Sequence, residues 1–181
     1  DSNGDITSVH FGPINIANEE TAGIDVAASY RLQTANAGNY RFSANYNWTD
    51  SHTSQQYPGD PEEDMLSVGY SSTTLPRAKG NLGVAWDRGV WGASLFSNYL
   101  GRVANYDNDA WTPATWRFNA SLRYDIGSHQ RIALSVTNLL DKMPPRDATW
   151  SNYPYYDTSW FDSRGRSFFL QYTHKFGGEA L

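Results

Sequence analysis

Hydrophobic and polar residues alternate with a period of two along most of this sequence. From Trp116 to Ile126, the residues Trp116, Phe118, Ala120, Leu122, Tyr124 and Ile126 share one parity, and Arg117, Asn119, Ser121, Arg123 and Asp125 share the other. A helix with 3.6 residues per turn cannot hold that register, whereas successive strand residues point to opposite faces of a sheet. The same alternation predicts strands over Ile24–Leu32, Tyr40–Trp48, Lys79–Trp86 and Phe168–Phe176. Softer versions mark Trp91–Tyr99 and Arg131–Val136, and a further strand is expected around Ile6 to Ala17, broken by Gly12 and Pro13.

The connections between these strands are lopsided. Short turns fall at Gln33–Gly38, Asp87–Gly89 and Gly127–Gln130, and long connections at Ser51–Leu75, Gly101–Thr115 and Asp141–Arg164. That rhythm matches an outer-membrane barrel, with short periplasmic turns and longer extracellular loops. Aromatic residues gather at strand ends, among them Tyr30, Tyr40, Trp48, Trp86, Trp91, Tyr99, Trp116, Tyr124 and Tyr172. Belts of Trp and Tyr at the two membrane interfaces account for that placement; a uniform core does not. The expected class is all-β, with antiparallel transmembrane barrel strands. In that reading Phe118, Leu122, Tyr124, Phe168, Leu170, Tyr172 and Phe176 face lipid, and Asn45, Asn47, Arg117 and Arg123 face the lumen.

Composition changes this picture little. The mean hydropathy of -0.62 is low, but a membrane strand shows lipid only at every second side chain. The aromatic content of 15%, with 12 Tyr and 7 Trp, fits the interfacial belts. No Cys is present, which excludes disulfides and thiolate metal sites, and a net charge of -5 gives no support for nucleic-acid binding. The sequence opens at Asp1 without Met or a signal-peptide pattern, so a mature or truncated chain is expected.

Hydrolase, zinc-protease and phosphate-loop spacings are missing, and the four histidines, His10, His52, His129 and His174, have no ligand spacing. Neither catalysis nor a cofactor nor a metal is expected. The acidic run Asp60–Asp64 reads as a solvated loop before a calcium site, and Asp107–Asp109 as turn chemistry. Glycosylation patterns at Asn47 and Asn119 are coincidental within strands. The connection before the last strand is richer. Trp150, Tyr153, Tyr155, Tyr156, Trp160 and Phe161 accompany Arg146, Arg164 and Arg166 there. Aromatic faces beside guanidinium groups suit sugars or chelates, so Trp150, Tyr153, Tyr155, Tyr156, Trp160, Arg146 and Arg164 are the candidate ligand-binding residues; plain loop packing is the alternative.

Several segments resemble one known family. Val136-Thr137-Asn138-Leu139-Leu140-Asp141-Lys142 is similar to the penultimate-strand segment of TonB-dependent transporters. Asn152–Asp157 and Ser163-Arg164-Gly165-Arg166 resemble the loop and opening of their final strand, and Phe168–Phe176 resembles that strand itself. Gly23-Ile24-Asp25-Val26 is similar to a family strand start, with Asp for Glu, whereas the extension Gly177–Leu181 past Phe176 departs from the pattern. The resemblance implies the C-terminal portion of a barrel of roughly 22 strands. Residues 1–181 then form seven or eight strands, without the N-terminal plug or TonB box. It also implies TonB-energised uptake of an iron chelate, cobalamin or oligosaccharide, with TonB, lipopolysaccharide and the nutrient as partners. The site is the outer membrane of a Gram-negative bacterium. A complete eight-strand structural or adhesive barrel and a soluble carbohydrate-binding β-sandwich are the competing readings.

Overall fold

The structure, a computed structural model, describes residues 18–69 and 75–177. In chain order its strands are β1 (Asn18–Thr34), β2 (Gly38–Gln55), β3 (Glu63–Asp64), β4 (Ala78–Arg88), β5 (Trp91–Leu100), β6 (Val103–Ala104), β7 (Trp111–Thr112), β8 (Thr115–Ile126), β9 (Gln130–Thr137) and β10 (Ser167–His174). Every strand expected from Ile24 onward is present; the weak pattern around Ile6 to Ala17 lies outside the described residues. The long strands form one sheet in the order β1-β2-β4-β5-β8-β9-β10, each antiparallel to its neighbour. β3 attaches to β2, and β6 and β7 form a small ladder of their own.

Two boundaries differ from the sequence reading. β2 runs on to Gln55, so the connection expected from Ser51 begins as strand. The pattern breaks there because the register slips: Gly23 pairs with Thr49 but Ala22 with Ser51, leaving Asp50 bulged. A Cβ at Gly23 would collide with the Trp48 carbonyl, so the bulge requires that glycine. Beyond it, β1 and β2 continue as a ribbon past the end of β4, whose pairing with β2 stops at Trp48 and Ala78. At the other end of the chain, β10 stops at His174, and Phe176 lies past it with 86% of its surface exposed.

The register converts alternation into two continuous faces. Side chains opposite one another in an antiparallel ladder share a face. One row therefore crosses the sheet as Val84, Leu95, Ala120, Val136 and Phe168, and the next as Trp86, Ala93, Leu122, Leu134 and Leu170. Aromatics edge this face at both ends. Tyr99 packs at a tilt against Trp116 (ring centroids 4.9 Å) toward the long connections, and Trp91 against Tyr124 (4.5 Å) toward the short turns. Trp116 and Tyr124 are eight residues apart, roughly 27 Å along a strand, comparable to the ~25 Å apolar band of a membrane barrel.

No second layer covers this face among the described residues. Among the described residues the buried hydrophobics are Leu66, Ala78, Val103 and Tyr156, all in the long connections or at a strand end beside them. Leu82, Leu122, Leu134 and Leu170 are exposed. A soluble sandwich buries one face of each sheet against the other, so this arrangement removes that reading. Among the described residues the sheet does not close on itself: β1 and β10 each have one neighbour. At the short turns, Gly38 (φ 91°) lets the chain reverse tightly against β4, where Trp86 Nε1 donates to the Ala37 carbonyl at 2.7 Å.

Candidate functional site

The long connections gather at one end of the sheet, and two rows of the polar face lie beneath them. One row is Asp25, Asn47, Lys79, Leu100 and Thr115; the next holds Asn45, Asn81, Asn98 and Arg117. Asn45 Nδ2 donates to Asn81 Oδ1 at 2.9 Å, and Asn47 Nδ2 to Asp25 Oδ1 at 2.6 Å. A cavity of about 620 Å³ opens over these rows, lined on its loop side by Trp160 and Phe161. The β9–β10 connection thus folds back across the polar face. Arg117 Nη2 anchors it by donating to the carbonyls of Asp162 (2.7 Å) and Arg164 (3.3 Å), and Lys79 Nζ lies 4.8 Å from the Trp160 ring centre.

The four polar-face candidates therefore divide. Asn45, Asn47 and Arg117 line the cavity. Arg123 sits at the other end of β8, where its Nη2 pairs with Asp87 Oδ1 at 2.7 Å and Arg41 meets the same carboxylate at 3.2 Å. Six residues along a strand, roughly 20 Å, separate Arg123 from Arg117.

The aromatic cluster also divides, into three parts. Trp160 reaches the cavity. Tyr156 is buried, and Trp150 packs edge-on against Tyr106 of the β6–β7 connection (4.8 Å), so both hold the loops together. Tyr153 (85% exposed) and Tyr155 form an outward T-shaped pair with ring centres 6.2 Å apart, and the Arg146 guanidinium lies 5.0 Å from the Tyr155 ring. Arg164 points outward and pairs with Asp162 at 2.9 Å.

Asp147 joins the two loops. It is 5% exposed; its Oδ2 accepts from the Tyr106 amide at 2.7 Å, and its Oδ1 from the Thr149 amide (2.9 Å) and hydroxyl (2.6 Å). Burial pushes this carboxyl up. The Thr149 hydroxyl and the amides of Thr149, Tyr106 and Trp150 outweigh that and hold its pKa below the ordinary carboxylate value. Elsewhere in the loops, the acidic run is tied into a turn: Asp64 Oδ1 accepts from the Leu66 amide at 2.9 Å. Among the described residues no cluster of His, Asp or Glu is arranged to hold a metal ion.

A barrel-like sheet with lopsided loops and a polar-face cavity accords with the comparison to known families. The model of the TonB-dependent receptor-like β-barrel matches residues 1–139. This chain belongs to that family. The siderophore receptor PiuA from Acinetobacter baumannii has a similar solved structure, with a TM-score of 0.52 and 19% identity over 90% of this chain. At that identity the likeness bears on the fold, and the matched region amounts to 26% of the PiuA chain. No curated protein matches by sequence.

In this receptor barrel the segment that carried the family resemblance turns out to be a clamp. Asn138 is 1% exposed at φ 52°, and Asp141 has the same φ, a left-handed backbone that Asn and Asp tolerate better than most residues. The Asn138 amide donates to Asn119 Oδ1 (2.9 Å) and its side-chain nitrogen to the Lys142 carbonyl (3.1 Å), while its Oδ1 accepts from the Lys142 amide (2.9 Å). Asp141 Oδ1 then accepts from the Arg166 amide at 2.7 Å, seating the start of β10 beside the end of β9. The sequence reading singled out neither Asn138 nor Asp147 as individual residues. An Asn in the Val136–Lys142 segment, just past a strand end, was the available signal for the first; the second had none.

Proposed function

We propose that this chain is part of the wall and outer loops of an outer-membrane receptor that imports a scarce nutrient with energy delivered through TonB. In that reading Phe118, Leu122, Tyr124, Phe168, Leu170, Tyr172 and Phe176 face lipid, and Asn45, Asn47, Arg117 and Arg123 face the lumen. The chain supplies the C-terminal portion of the barrel domain, and TonB engages a segment outside it. The loops stand among lipopolysaccharide on the cell surface, where Trp150, Tyr153, Tyr155, Tyr156, Trp160, Arg146 and Arg164 meet or frame the solute. No covalent chemistry is involved.

The observation that carries this reading is the uncovered apolar face. A continuous field of Leu, Val and aromatic side chains, rimmed by Trp and Tyr and left uncovered by the other described residues, is stable where lipid replaces water. The opposite face has the polarity of a wet lumen and carries the cavity. The fold shared with a siderophore receptor supports an iron chelate among the nutrient classes, alongside cobalamin and oligosaccharides. Deleting the gene and measuring uptake of labelled solutes from these three classes tests the proposal. Loss of uptake of one solute, reproduced by deleting tonB, is expected. Unchanged uptake of all three overturns it.

A further inference from the structure

We infer that the cavity beneath Trp160 is a binding site for a polyhydroxylated ligand bearing a carboxylate. The inference rests on the polar face being the solute side of the wall, as proposed above. It names the chemistry that side selects.

The carboxamide row supplies the first half of the case. Asn45, Asn81 and Asn98 stand on three adjacent strands at one level, facing the cavity. Each carboxamide both donates and accepts, as does a hydroxyl, so the row matches a polyol better than an apolar or purely anionic ligand. The Asn45–Asn81 bond engages one donor and one acceptor and leaves the remainder open. Asn98 is exposed and has no side-chain hydrogen bond among the described residues. The Trp160 indole N–H is shielded from solvent and also lacks an acceptor among them.

Charge supplies the second half. Lys79 forms no ion pair among the described residues, whereas Arg117 directs its hydrogen bonds to two backbone carbonyls and its charge acts on the Asp162 carboxylate. The acid lining the cavity is Asp25, whose carboxylate already accepts from Asn47 and lies two strands from Lys79, roughly 10 Å away. Lys79, a cation with no carboxylate in pairing distance among the described residues, favours a ligand that brings its own negative charge. An acidic oligosaccharide and a hydroxycarboxylate iron chelate share this chemistry.

The test is calorimetric titration of the full-length receptor in detergent with three probes: digalacturonate, ferric citrate and neutral cellobiose. The variants are Lys79→Gln and Asn98→Leu, with Arg131→Ala, at the short-turn end of β9 and outside the cavity, as control. At least one carboxylated probe is expected to bind more tightly than cellobiose. Lys79→Gln should raise its Kd about 10-fold, the equivalent of ~1.4 kcal/mol, with no change for Arg131→Ala. Which carboxylated probe responds separates the sugar from the chelate. Carboxylated probes that bind no better than cellobiose, or a Kd unchanged in both cavity variants, overturn the inference. If deletion of the gene still abolishes TonB-dependent uptake in that event, the transport function stands without this site; unchanged uptake removes the function itself.

Discussion

The sheet and the loop assembly above it hold together by different means. In the sheet the long strands between β1 and β10 are paired on both sides by backbone ladders, yet its large apolar residues lie open: Leu82, Leu122, Phe168 and Leu170 each expose 46% or more. In the loops, Leu66, Val103, Tyr156, Asn138 and Asp147 are buried, and side chains hold backbone groups in place of ladders. The sheet is built for a solvent that tolerates exposed hydrocarbon but not unpaired amides, and the loops for water. One chain thus follows two sets of rules, and substitutions should separate them.

The largest effect is expected in the sheet. Leu134 and Ser135 are neighbours on opposite faces, and Leu134 lies in mid-band between Leu122 and Leu170. Leu134→Arg should destabilise the full-length barrel by about 2–4 kcal/mol in lipid, whereas Ser135→Arg should cost well under half of that. Unfolding in urea from defined vesicles measures both.

In the loops, Asp147→Ala leaves the Tyr106 and Thr149 amides without their acceptor in a buried place. A local loss of about 2–3 kcal/mol is expected, read as faster proteolysis of the loops with the barrel intact. The same residue predicts a pH effect. Its folded-state pKa is depressed, so its stabilisation is complete above the ordinary carboxylate pKa of about 3.9 and is lost as pH falls through the lower folded value. Loop proteolysis should therefore rise at acid pH in the native protein and vary less with pH in Asp147→Asn.

Asn138→Ala combines a lost buried carboxamide with a left-handed backbone that Ala adopts poorly, so about 1–3 kcal/mol is expected at the β9–β10 junction. Hydrogen exchange at the Arg166 and Lys142 amides reports it. Arg164→Ala removes only an exposed ion pair, and its effect on the same measurements should stay below about 1 kcal/mol.

Much of the sheet was legible in the sequence because alternation is a direct imprint of a half-apolar strand. Trp116–Ile126 predicted β8 to within a residue. The far ends of β1 and β2 were not legible. Beyond the Asp50 bulge the two strands run on past β4, and residues such as Ser51, His52 and Thr53 carry no apolar parity to read. The loop cluster was legible as composition alone. Trp150, Tyr153, Tyr156 and Trp160 look equivalent in sequence, and only the folding of the connection sends one to the cavity, two to the loop interior and one to the surface. Lys79, Asn81 and Asn98 read as ordinary polar strand positions until the register placed them in line with Arg117 and Asn45.

Spin labels placed singly at each position of β8 in the full-length receptor, reconstituted in lipid, test the central claim most directly. Collision with dissolved oxygen should peak at Phe118, Ala120, Leu122 and Tyr124, and collision with a water-soluble nickel chelate at Arg117, Asn119, Ser121 and Arg123. Equal access at both sets, or the two profiles exchanged, would contradict the account.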